Sequence, residues 1–262
     1  MPKKIHSIYY HNPKPYQLDR LLNRYISKGI RFISIDELFC IISNKEEVKE
    51  KLCFLSFDDG WLSNLDLLPV IEKYNVPICI FVATEPLKSG NYWWEFITEE
   101  RGLEGMIEFK KLPYEEFYTQ LDRAKRTISL KRSSMTLYEL KDIARHPLVS
   151  IQSHTVNHPI LTNVPTVVLR NELVQSKQIL EDLCGNEIFA FSYPNGSLSE
   201  RETSEASKIY KIAFTTEQRH ISIYDNIYLL PRVALTGDYY RDLLKIYGVW
   251  PVFKKIVGLF KK

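Results

Sequence analysis

The sequence predicts an α/β fold: a distorted (β/α) barrel of about seven parallel strands, TIM-barrel-like. Three observations point there. Short apolar runs of strand length alternate with amphipathic stretches of helix length along nearly the whole chain, the pattern of successive βα units. The strand-like runs are apolar throughout rather than alternating, as in Lys51-Leu52-Cys53-Phe54-Leu55-Ser56-Phe57, which fits strands buried on both faces. The 262 residues suffice for one such domain without a second module.

Ile5 to Tyr10 reads as the first strand, and Tyr16 to Lys28 as a helix closed by Gly29. Arg31 to Ile33 is a short strand, and Asp36 starts a helix that runs to about Ser43. After the strand Lys51 to Phe57, Leu62 to Tyr74 is amphipathic with Leu65, Leu68, Val70 and Ile71 inward, and Pro77 to Val82 is a buried strand. From Glu85 to Met135 the pattern turns irregular and rich in charges and aromatics. This stretch, about 85–135, reads as an insertion beside the barrel mouth, helical from Tyr114 to Ile128. Thr136 to Ala144 is a helix, followed by the apolar run Pro147 to Ile151. Pro165 to Leu183 is a helix ended by Gly185, then come a strand Glu187 to Phe191, a helix Ser199 to Tyr210 and a short strand Ile212 to Thr215. Tyr228 to Leu235 is the last strand, with Arg232 near its end. Residues 1–240 thus form the barrel. Residues 241–262 form an amphipathic basic helix interrupted by Pro251. Its apolar side carries Val252, Phe253, Ile256, Val257 and Phe260, and Lys254, Lys255, Lys261 and Lys262 ring its end. A helix of that kind packs on the barrel or docks on an anionic membrane surface.

Two polar motifs follow two of the apolar runs. Phe57-Asp58-Asp59-Gly60 closes the run from Lys51, and Ser153-His154-Thr155-Val156-Asn157-His158 comes shortly after Ile151. Adjacent carboxylates at the end of a buried strand are costly unless a cation or a proton takes up their charge. Two histidines four apart can aim both imidazoles at one point. Either motif alone is weak, since Asp-Asp-Gly is ordinary turn chemistry. Their joint position, just past the C-terminal ends of strands where α/β folds place their sites, is hard to assign to packing. Asp59, His154 and His158 make a three-ligand metal site, and Asp58 is left over as a base. Open coordination beside an unliganded base suits metal-assisted hydrolysis rather than structural support. Zinc suits an imidazole–carboxylate set, and cobalt, nickel, manganese and iron also accept it.

These residues resemble the polysaccharide deacetylase (NodB-homology) family of carbohydrate esterases. A third family element, an aromatic-Pro-x-Gly turn, matches Phe191-Ser192-Tyr193-Pro194-Asn195-Gly196. Softer similarity runs through Tyr10-His11, Phe32 to Leu38, Trp93-Trp94, Met135-Thr136 with Glu139-Leu140, and Leu230-Pro231-Arg232. The resemblance implies Asp58 as general base, Asp59, His154 and His158 as ligands of a divalent metal, and the Asn195 N–H as oxyanion donor. Many members carry an arginine two residues before the proline to orient the base, and Ser192 stands there. Many also carry a late Leu-x-His whose imidazole protonates the leaving amine, and the C-terminal third has none. Arg232 is the candidate replacement for the arginine. His11, or Asp58 returning its proton, is the candidate acid. Trp61, directly after the acidic motif, Tyr193 and Pro194 are expected to line the substrate pocket. Of Trp93 and Trp94, at least one is expected to pin the insertion to the barrel, since tryptophan is usually largely buried. His6 and His146 have no partner motif, and His220 sits in a polar stretch that reads as surface.

Hydrophobic residues make up 45% and charged residues 26% of the chain, an ordinary globular balance. A formal charge of +3 with no Arg-rich block excludes a nucleic-acid reading. The four cysteines, Cys40, Cys53, Cys79 and Cys184, lack metal-ligand spacing and read as free thiols of a reducing compartment. The N-terminus lacks an apolar core of signal-peptide length, and no stretch reaches transmembrane length. A cytoplasmic protein is expected, with a peripheral position on the inner membrane surface if residues 251–262 dock there. The functional expectation is a metal-dependent N-deacetylase of an amino sugar in a saccharide or glycolipid, serving surface polysaccharide biosynthesis. A deformylase or O-acetyl esterase on the same scaffold, or a non-catalytic carbohydrate-binding protein, are the alternatives; an intact Asp58 argues against the last.

Overall fold

The computed structural model describes residues 4–250. Its frame is one sheet of eight strands among the described residues, paired in parallel throughout. The chain runs β1 (His6–Tyr10), α1 (Pro15–Ser27), β2 (Ile30–Ile33), α2 (Ile35–Asn44), β3 (Lys51–Asp59), α3 (Leu68–Tyr74) and β4 (Ile78–Val82). Three helices follow, α4 (Pro86–Ser89), α5 (Trp93–Phe109) and α6 (Tyr114–Thr127), then α7 (Leu137–Ile143) and β5 (Val149–Ser153). The remainder is α8 (Thr166–Cys184), β6 (Ala190–Ser192), α9 (Glu200–Ser207), β7 (Ile212–Phe214), β8 (Val233–Ala234) and α10 (Tyr239–Ile246).

The strand order is β7-β6-β5-β4-β3-β1-β8, with β2 also on β3. Cys53 pairs with both His6 and Phe32, and Ser56 with both Tyr9 and Cys79. A strand has two edges, so β2 and β4 share one edge of β3, β2 at its start and β4 at its end. This is where the barrel is distorted. At the far side Leu230 bridges to Phe214 in β7, while Val233 and Ala234 pair with Ile8 and Tyr9 in β1. The segment 230–234 thus reaches both ends of the sheet and curls it round. Pro231 lacks an N–H for a ladder, which keeps β8 to two residues where the apolar run spans eight.

Period-two alternation sorts β3 between two cores. Cys53, Leu55 and Phe57 face an outer layer with Leu18 and Leu22 of α1 and Ile71 of α3. Leu52 and Phe54 face the lumen with Phe81, Phe214 and Leu230, backed by Leu38 and Ile42 of α2. The predicted helix Leu62 to Tyr74 is divided. Leu62–Leu67 is a 3₁₀ turn, and α3 begins anew at Leu68 with Pro69 in its first turn, where proline's missing N–H costs nothing. Leu65, Leu68 and Val70 pack only partly buried, and Ile71 is fully inside. α6 lies where the sequence places it. α5 is absent from the sequence reading because Gly102, at φ 69°, breaks its periodicity. Trp93, Phe96, Ile97, Phe109, Phe117 and Leu121 from α5 and α6 close a small core of their own against Ile160.

Cys53 and Cys79 are buried free thiols. His220 is half-buried rather than at the surface, its ring stacked on His6 at 4.4 Å and its Nε2 2.9 Å from Ile246 O. The basic helix after Pro251, with its membrane docking, lies outside the described residues. Among those described, no helix is long and apolar enough to cross a membrane.

Candidate active site

Sheet register brings the two motifs together. Asp59 of β3 and Ser153 of β5 are both level with Val82 of β4, so their backbones stand about 10 Å apart across the central strand. An aspartate and a histidine span that gap. Strand alternation would send Asp59 to the outer layer, opposite to Asp58. Instead Asp59 adopts φ 79° and Gly60 φ 90°, turning the second carboxylate back to the mouth. Only glycine suits position 60, since a Cβ there would also meet Val82 Cγ1 at 3.0 Å.

The histidine pair is held by a tight loop, not a helical turn: Thr155 and His158 have φ 71° and 53°. Thr155 Oγ1 accepts from His158 N, and Glu172 of α8 accepts from the N–H groups of Val156 (2.9 Å) and Asn157 (2.8 Å) and from Asn157 Nδ2 (2.6 Å). Trp93 Nε1 donates to His158 O at 2.9 Å, so Trp93 is the tryptophan that pins the 85–135 segment to the barrel. His154 Nδ1 donates to Ser192 O at 2.7 Å, which leaves Nε2 as the free lone pair.

Asp59 Oδ1 lies 3.5 Å from His154 Nε2 and 3.4 Å from His158 Nε2. All three residues are buried, and Asp59 Oδ1 has no hydrogen-bond partner. Zinc bonds of about 2.0–2.1 Å at tetrahedral angles separate neighbouring donors by about 3.4 Å. The donor set therefore fits a small divalent cation. Burial, reinforced by the charge of His154, pushes the His158 pKa down to about 3, so its imidazole is neutral at physiological pH, as a ligand must be. Burial opposes the charge on Asp59, but the close approach of His154 and the charges of His11 and His158 outweigh it and hold the carboxyl well below the usual range.

Trp61 does more than line the pocket. Its indole N–H donates to Asp59 Oδ2 at 2.8 Å, fixing the carboxylate so that Oδ1 faces the imidazoles. With Tyr92 and Trp94 it forms an aromatic wall, ring centroids 4.5 Å (Trp61–Tyr92) and 4.7 Å (Tyr92–Trp94) apart, and Trp94 lies edge-on to His158 at 4.6 Å. Trp61→Phe keeps the wall and removes the donor. Its zinc affinity, read by competition with a chelating dye, is expected to fall about 10–100-fold; unchanged affinity would remove Trp61 from the positioning of Asp59.

Asp58 points into the lumen and meets Arg232. The guanidinium is fully buried and bidentate, Nη1 to Oδ1 at 2.7 Å and Nη2 to Oδ2 at 2.8 Å. It also donates to Ser56 Oγ (3.0 Å) and Ser192 Oγ (2.6 Å), and sits 4.2 Å from the Tyr9 ring centroid. Burial would raise the Asp58 pKa, but the Arg232 charge outweighs it and holds the carboxyl below its ordinary value.

A cavity of about 520 Å³ opens over these groups. His11, Trp61, Tyr193 and Asn195 all line it, as do Trp94, Met106, Lys110 and Thr216. His11 is exposed at the rim, its carbonyl held by Asn64 Nδ2 at 2.9 Å. Tyr193 shows only 1% of its surface, and Pro194 is buried beneath the turn rather than on the cavity wall. Asn195 takes φ 57°. Gly196 follows at φ 72°, where a Cβ would collide with Thr216 Oγ1.

The model of the polysaccharide deacetylase family matches residues 45–211, more than half of the chain. The chain belongs to the polysaccharide deacetylase family. The Bacillus subtilis protein YxkH, named for polysaccharide deacetylation, is 23% identical over 210 residues, 79% of this chain and 60% of YxkH; the chain thus spans about 60% of the length of that relative. Among solved structures, the Streptococcus pyogenes deacetylase PplD in complex with acetate shares the fold at a TM-score of 0.70 and 22% identity, over 94% of this chain and 99% of that one. IcaB from Ammonifex degensii does so at 0.68 and 15%, over 95% and 98%. The curled parallel sheet is that of a polysaccharide deacetylase.

His11 and Arg232, the two residues offered for the deacetylase pattern's missing positions, lie outside the matched span. The structure brings both to the site, Arg232 onto Asp58 and His11 onto the cavity wall. Ser192, standing where the arginine is missing, joins the two halves: its hydroxyl accepts from Arg232 and its carbonyl from His154. Sequence reasoning missed Glu172 and Lys110. Glu172 had a signal, a carboxylate on the buried face of α8 beside Leu169 and Leu173. Lys110 had none, since it sits in an irregular stretch of like residues.

Proposed function

We propose that this protein is a metal-dependent hydrolase that removes an N-acetyl group from an amino sugar of a saccharide or glycolipid in surface polysaccharide biosynthesis. One observation carries the reading: three convergent, buried donors stand next to an ionised carboxylate that is held by an arginine and is not one of them. Asp59, His154 and His158 would hold the cation, with zinc the ion their chemistry suits best. When bound, a divalent cation polarises an amide carbonyl and makes a nearby water more acidic.

The chain's own residues do the rest. Asp58 accepts the proton of the attacking water, and Arg232 keeps it ionised and fixed in direction. The backbone N–H of Asn195, presented by the left-handed turn after Pro194, donates to the oxyanion, a contribution worth about 3 kcal/mol where single donors have been removed in other hydrolases. The departing amine needs a proton, and His11 stands at the rim to deliver it. Trp61 and Trp94 offer apolar faces to a pyranose ring. His11→Gln is expected to lower turnover about 100-fold and to change the pH–rate profile. An unchanged rate and profile would exclude His11 as the acid.

The test is acetate release over a panel of nucleotide-linked, lipid-linked and oligomeric N-acetylhexosamines, before and after chelation and with zinc restored. Release that disappears on chelation and returns with zinc supports the reading. No release from any member by the zinc-loaded protein would overturn it.

A further inference from the structure

Lys110 closes the C-terminal end of α5 and is the one lysine or arginine on the cavity wall among the described residues. Its ammonium donates to Asn195 Oδ1 at 2.9 Å, a neutral acceptor. The neighbouring Glu108 is taken by Lys111 at 2.7 Å, and among the described residues no carboxylate stands within ion-pair distance of Lys110. The two acids on the wall are already engaged. Asp58 is matched by Arg232, and Asp59 faces two imidazoles with the donor geometry of a divalent cation's site. The walls therefore carry surplus positive charge at Lys110. Half-burial makes that charge costly, and it lowers the Lys110 pKa, with Asp59 only partly opposing. Spare donors surround it. One of three ammonium hydrogens is used in a hydrogen bond, the ammonium otherwise meeting the Trp93 ring, also neutral, at 5.9 Å from its centroid. The carboxamide Nδ2 of Asn195 is buried without a partner, and Thr216 lines the same wall. A neutral acetamido sugar offers nothing to balance such a wall.

We propose that Lys110 is a specificity-determining residue, pairing with an anionic group, phosphate or carboxylate, carried by the N-acetylated sugar or by the unit linked to it. The proposal rests on the N-deacetylase reading of the same site and names its substrate class. A lysine acts on such groups as a point charge, with spare hydrogens for more than one oxygen. Reaching the wall from the 85–135 segment, Lys110 also ties that segment to the turn that presents Asn195. Selectivity for charge is thereby attached to a part of the chain that the strands do not dictate.

The test is calorimetric binding to the zinc-loaded full chain, with N-acetylglucosamine, its 1-phosphate, its 6-phosphate and N-acetylmuramic acid as probes, on wild type, Lys110→Gln and Lys110→Arg. At least one anionic sugar is expected to bind wild type about tenfold more tightly than the neutral one, and the member that does so shows whether phosphate or carboxylate is read and at which position. That ratio should fall to near one in Lys110→Gln and persist in Lys110→Arg. Equal affinity of wild type for all four sugars overturns the proposal. So does a preference that survives Lys110→Gln intact, which would place the anion on the cation instead. Acetate release followed in parallel separates the two readings. Release with no charge preference sinks the role of Lys110 alone. Charge preference with no release from any probe supports the anion site and counts against deacetylation.

Discussion

Asp58→Asn is expected to lower acetate release by about 1,000-fold or more while leaving zinc content, measured on the purified protein, near one equivalent. General-base removal alone costs about 100- to 10,000-fold. The donor triad keeps its direct partners in this change, because Trp61 Nε1 still holds Asp59 and the Ser192 carbonyl still holds His154. The long 3.4 Å contact from the Ser192 hydroxyl to Asp58 Oδ2 is the link that the substitution alters. The variant still folds: Ser56, Ser192 and the Tyr9 ring continue to receive the Arg232 guanidinium. Its thermal midpoint should nonetheless drop, because an amide answers a buried guanidinium less well than a carboxylate does. Zinc lost together with activity would move Asp58 into the ligand set. Turnover kept with zinc bound would end its role as base.

The sheet and the heart of this site were legible because both rest on local chemistry. A strand buried on two faces must be apolar throughout, and a carboxylate pair at its end must be answered by something, so β3 and its Asp58-Asp59 announce themselves. The histidines could be placed because β5 is apolar too. Less legible was whatever depends on distant contact. Nothing near Arg232 shows that its guanidinium crosses the lumen to Asp58; only the absence of an arginine at Ser192 hinted at it. The 3₁₀ turn at Leu62–Leu67 hides behind an amphipathic pattern that a helix would also satisfy. α5 went unread because Gly102 interrupts its periodicity and because its apolar residues serve a separate small core rather than the sheet. Lys110 is invisible for the second of these reasons: its position is set by α5 packing on Ile160 and Phe117, not by any motif.

Arg232→Met is expected to cost about 3–5 kcal/mol of stability at pH 7, the penalty for leaving one member of a buried pair without its partner. Its pH dependence identifies the cause. In the wild type the Asp58 pKa is held below its unfolded value. The pair therefore contributes stability that is full above pH 4 or so and is lost as pH falls through the folded pKa. Without the guanidinium, burial of Asp58 remains and lifts its pKa above the unfolded value. The variant then loses stability as pH rises from about 4 toward neutrality. The gap between the two proteins, followed by denaturant melts from pH 4 to 8, should widen upward. The acidic limb of the pH–rate profile should move to higher pH, because the base is now protonated where it was ionised. Arg232→Met combined with Asp58→Asn removes both charges, and the double variant should recover most of the lost stability while recovering no activity. A methionine that merely packs badly in the lumen would give a pH-independent loss that the second substitution does not repair, and the pairing of Arg232 with Asp58 would then have no part in either stability or the poise of the base.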